Sequence, residues 1–144
     1  MAEFSHTVAL PAPPEEAFPW LLEADRVPRW TGGLESYQQL TPGPLGAGSR
    51  VRQVLEVSGQ HIDVELHVTR YDPPRRADTR FSTNGIDVVS VYALAPDGAA
   101  SRLTQSLEAK ATSFKARLLL PVIQPRLERK LTEDLERLRG VLAG

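Results

Sequence analysis

The chain has 144 residues, and its 17 basic and 18 acidic side chains leave a net charge of −1. It therefore has no global field that would recruit nucleic acid or an anionic membrane. It contains no cysteine, which excludes disulfides, thiolate nucleophiles and cysteine-bound metals. Hydrophobic residues at 41% and charged residues at 24% are ordinary for a soluble globular protein, and the length suits one domain spanning residues 1–144. No apolar run approaches the roughly 20 residues of a membrane span, and Met1 to His6 carry neither a basic-then-apolar signal nor a lipidation motif. The expectation is a cytoplasmic protein with no integral membrane segment.

Phe4, His6, Val8 and Leu10 alternate with polar or small residues, the period of a strand with one buried face. Pro11, Pro13 and Pro14 end it. Proline in a first turn followed by Glu15 and Glu16 predicts a short helix over Pro14–Ala24, with Pro19 able to shorten or kink it. Val27, Pro28 and Trp30 predict a second helical turn that stops at Gly32-Gly33. Strands follow over Leu34–Leu40, Ser49–Val57 and Gln60–Tyr71, separated by a Gly/Pro-rich loop at 41–48 and a Ser58-Gly59 turn. Asp72-Pro73-Pro74 turns the chain into a strand bearing Ala77, Thr79 and Phe81. Asn84-Gly85 is a hairpin signal because both positions need positive φ. Ile86–Leu94, the turn Pro96-Asp97-Gly98 and Ser101–Ala111 complete an antiparallel meander.

From Thr112 to Leu142 the period changes to that of a helix. Phe114, Leu118, Val122, Leu127, Leu131, Leu135, Leu138 and Leu142 trace an apolar stripe opposite a charged face. Such a stripe has to be covered by the sheet. Glu133 and Arg137 are spaced as an i,i+4 ion pair. Pro121 and Pro125 predict a kink or a break, with a regular helix restarting near one of them. The fold class is thus α+β: a curved antiparallel sheet of about seven strands around a long C-terminal helix, with two short helices after the first strand.

Strand parity assigns the inward faces. Val51, Gln53, Leu55 and Val57 share one, as do Ile62, Val64, Leu66 and Val68, then Ala77, Thr79 and Phe81, then Leu103, Gln105, Leu107 and Ala109. A mostly apolar lining with a few polar groups, Gln53, Thr79, Gln105 and His6, is the composition of a small-molecule pocket. The same residues would equally fill a core, with the polar groups bonded to backbone.

Particular residues then carry a resemblance. The strand Val8-Ala9-Leu10, Pro11-Ala12-Pro13-Pro14-Glu15-Glu16-Ala17-Phe18, Trp30, Gly46-Ala47-Gly48-Ser49-Arg50-Val51, Tyr71-Asp72-Pro73-Pro74-Arg75 and the ending Leu135-Glu136-Arg137-Leu138 together resemble the START-like (SRPBCC) helix-grip superfamily. Within it, the chain looks most like the polyketide cyclase/dehydrase and lipid-transport group. The resemblance covers nearly the whole chain and rests on fold markers rather than on a chemical signature. It implies a seven-stranded sheet gripping the final helix, with a deep cavity for hydrophobic ligands between them.

On this basis the expected ligand-binding residues are Trp30, Gln53, Leu55, Val64, Leu66, Thr79, Phe81, Gln105, Phe114 and Leu118, the last two nearest the ligand. His6, the one histidine in phase with apolar neighbours, and Asp87 are the candidate catalytic acid–base groups, each also readable as structural. His61, Asp63, Glu65 and His67 alternate on an outer face. Neighbours in that set lie roughly 6.5–7 Å apart and its two histidines about 20 Å apart, so they cannot share one ion and no metal is expected. No cofactor is expected either: Gly46-Ala47-Gly48-Ser49 lacks the spacing and lysine of a phosphate loop, and reads instead as a loop free to gate the cavity. The leading expectation is a carrier or sensor of a small hydrophobic molecule, lipid, polyketide-like or aromatic. The alternatives are a cyclase, aromatase or dehydratase using inward polar residues for proton transfer, and a protein-partner or stress-related module. Oligomeric state is not legible.

Overall fold

The alternating segments pair as the meander predicts. A computed structural model describes residues 2–57 and 59–144; Ser58, expected to share a turn with Gly59, lies outside the described residues. The strands are β1 (Ala2–Leu10), β2 (Leu34–Gln39), β3 (Arg50–Val57), β4 (Gln60–Asp72), β5 (Arg76–Thr83), β6 (Ile86–Asp97) and β7 (Ala100–Ala111). They form one seven-stranded sheet in the order β1-β7-β6-β5-β4-β3-β2, antiparallel at every step. Register shifts between Leu34 and Ser36 and between Val68 and Arg70 bend the ribbon, as extra residues in one strand of a pair do. Asn84 (φ 49°) and Gly85 (φ 77°) take the left-handed conformations that their hairpin requires.

The predicted helix over Pro14–Ala24 is shorter. Helix α1 covers Pro14–Ala17 only, and the chain tightens into a 3₁₀ turn at Phe18–Trp20. Pro19 has no N–H with which to meet the Glu15 carbonyl, so an α-helix cannot run on regularly. A second 3₁₀ turn, Val27–Arg29, follows.

Helix α2 runs unbroken over Phe114–Ala143, through both Pro121 and Pro125, so the expected break is absent. Both prolines sit on the exposed side, where water can meet the carbonyls they leave unpaired. Ser113 caps the start, its Oγ accepting from the Ala116 N–H at 3.1 Å, and the Thr112 N–H donates to the Gly85 carbonyl at 2.7 Å.

The apolar stripe of α2 matches the expected one from Leu127 onward and has a different register before it. Its buried positions are Ala116, Leu120, Leu131, Leu135 and Leu138, joined by half-buried Ile123 and Leu127. The steps of three and four make one continuous ridge. Leu131, Leu135 and Leu138 pack on Val8, Leu10, Ala77, Leu94 and Leu103 from the sheet, and on Phe18, Leu21, Leu22 and Trp30 from the short helices. Each such leucine contributes about 1.5–3 kcal/mol of burial. Ala116 and Leu120 form a second cluster with Ala2, Ile86, Val88 and Ala109. Arg137 pairs with Asp134, not with Glu133. No helix among the described residues is long and apolar enough to cross a membrane.

Candidate functional site

The inward faces do not meet everywhere. Between the sheet, the 3₁₀ turns and the middle of α2 they leave a cavity of about 170 Å³. Its floor is sheet: Tyr37 on β2, Gln53 and Leu55 on β3, Leu66 on β4, Thr79 and Phe81 on β5, Val88, Ser90 and Tyr92 on β6, Gln105 and Leu107 on β7. Leu21, Leu22, Val27, Trp30 and Thr31 close one side, and Leu127, Lys130, Leu131 and Asp134 of α2 form the roof.

Most of the wall is apolar, with polar groups contributed by β2, β3, β5, β6, β7 and α2. The buried Asp134 carboxylate accepts through Oδ1 from the Gly32 N–H and from Arg137 Nη1, each at 3.0 Å. Its Oδ2 accepts from Lys130 Nζ at 2.5 Å. Arg137 Nη1 also donates to the Trp30 carbonyl at 3.1 Å. One carboxylate thus ties α2 to the chain after the second 3₁₀ turn and holds an ammonium against an apolar wall. Nearby, Gln105 Nε2 donates to Ser90 Oγ at 3.1 Å. Burial holds the Tyr92 hydroxyl well above the ordinary phenol range, with the Asp134 charge adding to it and the neighbouring Gln105 and Ser90 pulling partly back. Tyr37 is likewise raised, first by burial and then by Tyr92; its hydroxyl donates to the Leu22 carbonyl at 2.8 Å. The Trp30 indole N–H donates to the Trp20 carbonyl at 2.8 Å, so its ring is fixed against the cavity.

Of the residues singled out in the sequence, Trp30, Gln53, Leu55, Leu66, Thr79, Phe81 and Gln105 lie on this wall. Three do not. Val64 faces inward but is covered in a small cluster with Val51 and Leu66, because parity sets a residue's face and not its depth. Phe114 and Leu118 are 74% and 63% exposed, since the ridge that packs on the sheet is offset from theirs. Neither acid–base candidate reaches the cavity wall. The His6 ring lies 3.6 Å from Glu136 near the far end of α2, and Asp87 is exposed and accepts from the Ser82 hydroxyl. No residue of the loop at 41–48 lies on the wall, and Gly48 and Ser49 are held by backbone bonds to Val68 and Gly46. His61 pairs with Glu35, and His67 with Glu65, on the outer face.

Lys130, Asp134, Tyr37, Ser90 and Tyr92 were missed. Asp134 carried a signal: it stands in phase with Leu127, Leu131 and Leu138, an acid inside the apolar ridge, with Lys130 one turn before it.

A seven-stranded antiparallel sheet closed over a cavity by a long C-terminal helix defines a helix-grip protein of the START type. The chain belongs to the polyketide cyclase / dehydrase and lipid transport family, which matches residues 1–143. Among solved structures it is similar to TTHA0849 from Thermus thermophilus, with a TM-score of 0.82, 18% identity and coverage of 99% of this chain and 97% of that one. It is also similar to a START superfamily protein from Mycobacterium smegmatis, with a TM-score of 0.78, 18% identity and coverage of 98% and 97%. At these identities the likeness is one of fold. Toxin Rv0910 of Mycobacterium tuberculosis (strain ATCC 25618 / H37Rv) is 30% identical over 74 residues, 51% of each chain. The match thus spans about half the length of the curated relatives.

Proposed function

We propose that the protein binds one small molecule with an apolar body and a single hydrogen-bond-accepting group, as a carrier or sensor. The observation behind this is the mixed lining of the cavity. Its wall is mostly leucine, valine and aromatic carbon, while Lys130, Asp134 and Tyr92 share it with the Gln105–Ser90 pair. A ligand would orient by laying its ring or chain on Phe81, Leu55 and Trp30 and offering a carbonyl, phenol or carboxylate oxygen to Lys130 or Tyr92. The volume sets the scale: about 170 Å³ is close to the ~150 Å³ of an engineered void that takes up benzene. A body of about one ring fits without rearrangement.

Native mass spectrometry of protein from its own host, followed by thermal-shift titration with ring compounds that carry or lack an acceptor, tests this reading. A ligand at about one hundred times its Kd stabilises the fold by about 2.7 kcal/mol. Saturable shifts with acceptor-bearing rings, weakened in Lys130→Met, are expected. Ligand-free protein from the host together with no shift across lipid, aromatic and polyketide-like panels would remove the reading.

The family description favours a second reading, a cyclase or dehydratase that orients a reactive chain. In that case the acid–base group would be drawn from Tyr92, Lys130 and Asp134, since His6 and Asp87 lie off the wall. The high proton affinity of Tyr92 makes its phenol a donor to a substrate carbonyl rather than a base. Turnover of a polyketide-like substrate that survives Tyr92→Phe, Lys130→Met and Asp134→Asn unchanged would eliminate that mechanism.

A further inference from the structure

We propose that the first half of α2 is a docking face for an anionic membrane surface. Phe114, Leu118 and Val122 recur every fourth residue and are 74%, 63% and 62% exposed, with Leu119 beside them at 43%. They form a stripe about 12 Å long at 1.5 Å per residue. The sheet-facing ridge on the opposite side, Ala116 and Leu120, is already buried, so this helix segment is apolar on two faces and only one is covered.

The charges beside the stripe indicate what could cover the other. No acidic residue lies between Glu108 and Glu128, whereas Lys110, Lys115, Arg117 and Arg126 do. At 3.6 residues per turn, Lys115 and Arg126 fall on one flank of the stripe and Arg117 on the other. None of the three takes part in an ion pair among the described residues. An apolar stripe flanked on both sides by unneutralised cations is the pattern of a helix lying in a lipid interface, hydrocarbon below and phosphate beside.

A second copy fits less well. The four apolar side chains offer on the order of 400 Å², half of the ~800 Å² per partner of a standard interface. A two-fold pairing would also set like charges against one another. The proposal does not depend on whether the cavity holds a ligand.

Vesicle flotation tests it, with phosphatidylcholine alone against phosphatidylcholine containing about one-third phosphatidylglycerol. The wild type is expected to float with the anionic vesicles and to be released by salt. Phe114→Glu with Leu118→Glu is expected to weaken partitioning by about tenfold or more, and Lys115→Gln with Arg117→Gln and Arg126→Gln to remove the salt-dependent part. All these positions are exposed, and circular dichroism verifies that each variant is folded. Absence of flotation, or flotation unaffected by the glutamates, overturns the proposal. So does a wild-type dimer in light scattering that Phe114→Glu with Leu118→Glu converts to monomer, which would assign the face to a second copy.

Discussion

Lys130 donates to Asp134 across 2.5 Å on the cavity wall, at a carboxylate whose other oxygen is already shared by the Gly32 N–H and Arg137. The side chains of this pair are only 22% and 11% exposed. A half-buried ammonium at an apolar wall is tolerable because the acid beside it is itself held by two further donors.

Asp134→Ala should therefore cost about 3 kcal/mol or more, because it strands Lys130 and the Gly32 N–H together. Asp134→Asn should fall between, keeping an acceptor for Gly32 without the charge. Urea unfolding measures both. A loss below about 1 kcal/mol for the alanine variant would show that the network does not hold α2 to the 3₁₀ turns.

The offset ridge of α2 gives a contrast between two leucines of one helix. Leu138→Ala removes a side chain with 0% exposure and should cost about 2–5 kcal/mol. Leu118→Ala, at 63% exposure, should lie within about 0.5 kcal/mol of wild type. Equal losses in thermal unfolding would reject the ridge described here.

These two leucines also show where sequence reading succeeds and where it fails. Most of the sheet is legible because strand parity decides the face: Gln53, Thr79, Phe81 and Gln105 face inward as alternation requires, whereas on β6 both phases are apolar and alternation leaves Asp87 against Val88 and Tyr92 undecided. Helix α2 contains two apolar rows in its first half, Phe114-Leu118-Val122 and Ala116-Leu120-Ile123. Spacing alone cannot decide between them, and the bulkier row looks like the core. The row that packs is the one in phase with Leu127, Leu131 and Leu138, so continuity into the second half is the better guide. Asp134 is hard to see for a related reason. Among so many helix charges it reads as surface, although its phase places it in the ridge. Lys130 reads as part of a solvated face for the same reason.

At the β5–β6 hairpin, Gly85 has φ +77°, and a Cβ placed there would stand 2.6 Å from Ser113 Oγ. Gly85→Ala should thus combine left-handed strain of about 1 kcal/mol with displacement of the helix cap. Ser113→Ala loses the cap alone, about 1 kcal/mol. If Gly85→Ala proves no worse than Ser113→Ala in chemical denaturation, the contact between hairpin and helix start is not as described.

The raised tyrosines set an alkaline limit. Tyr37 and Tyr92 hold their protons more tightly in the fold than at the ordinary value of 10.0. Their contribution is intact below pH 10, where both states are protonated. It declines above pH 10, as the unfolded chain ionises and the folded one does not, by about 1.4 kcal/mol per pH unit for each group. Tyr37→Phe should lower stability at neutral pH by about 1 kcal/mol through the lost bond to Leu22, yet flatten this alkaline decline. Stability curves of wild type and variant with the same slope between pH 10 and 12 would refute the assignment.

The two anchorages of α2, Thr112 and Ser113 against Gly85 at one end and Asp134 and Arg137 against Trp30 and Gly32 at the other, make the helix a beam supported at both ends. Its softest span is the stretch between them, where Pro121 and Pro125 each leave out a rung of the hydrogen-bond ladder. The omitted rungs precede Leu127, Lys130, Leu131 and Asp134, so the roof of the cavity belongs to the proline-free part of α2, beside the second anchorage.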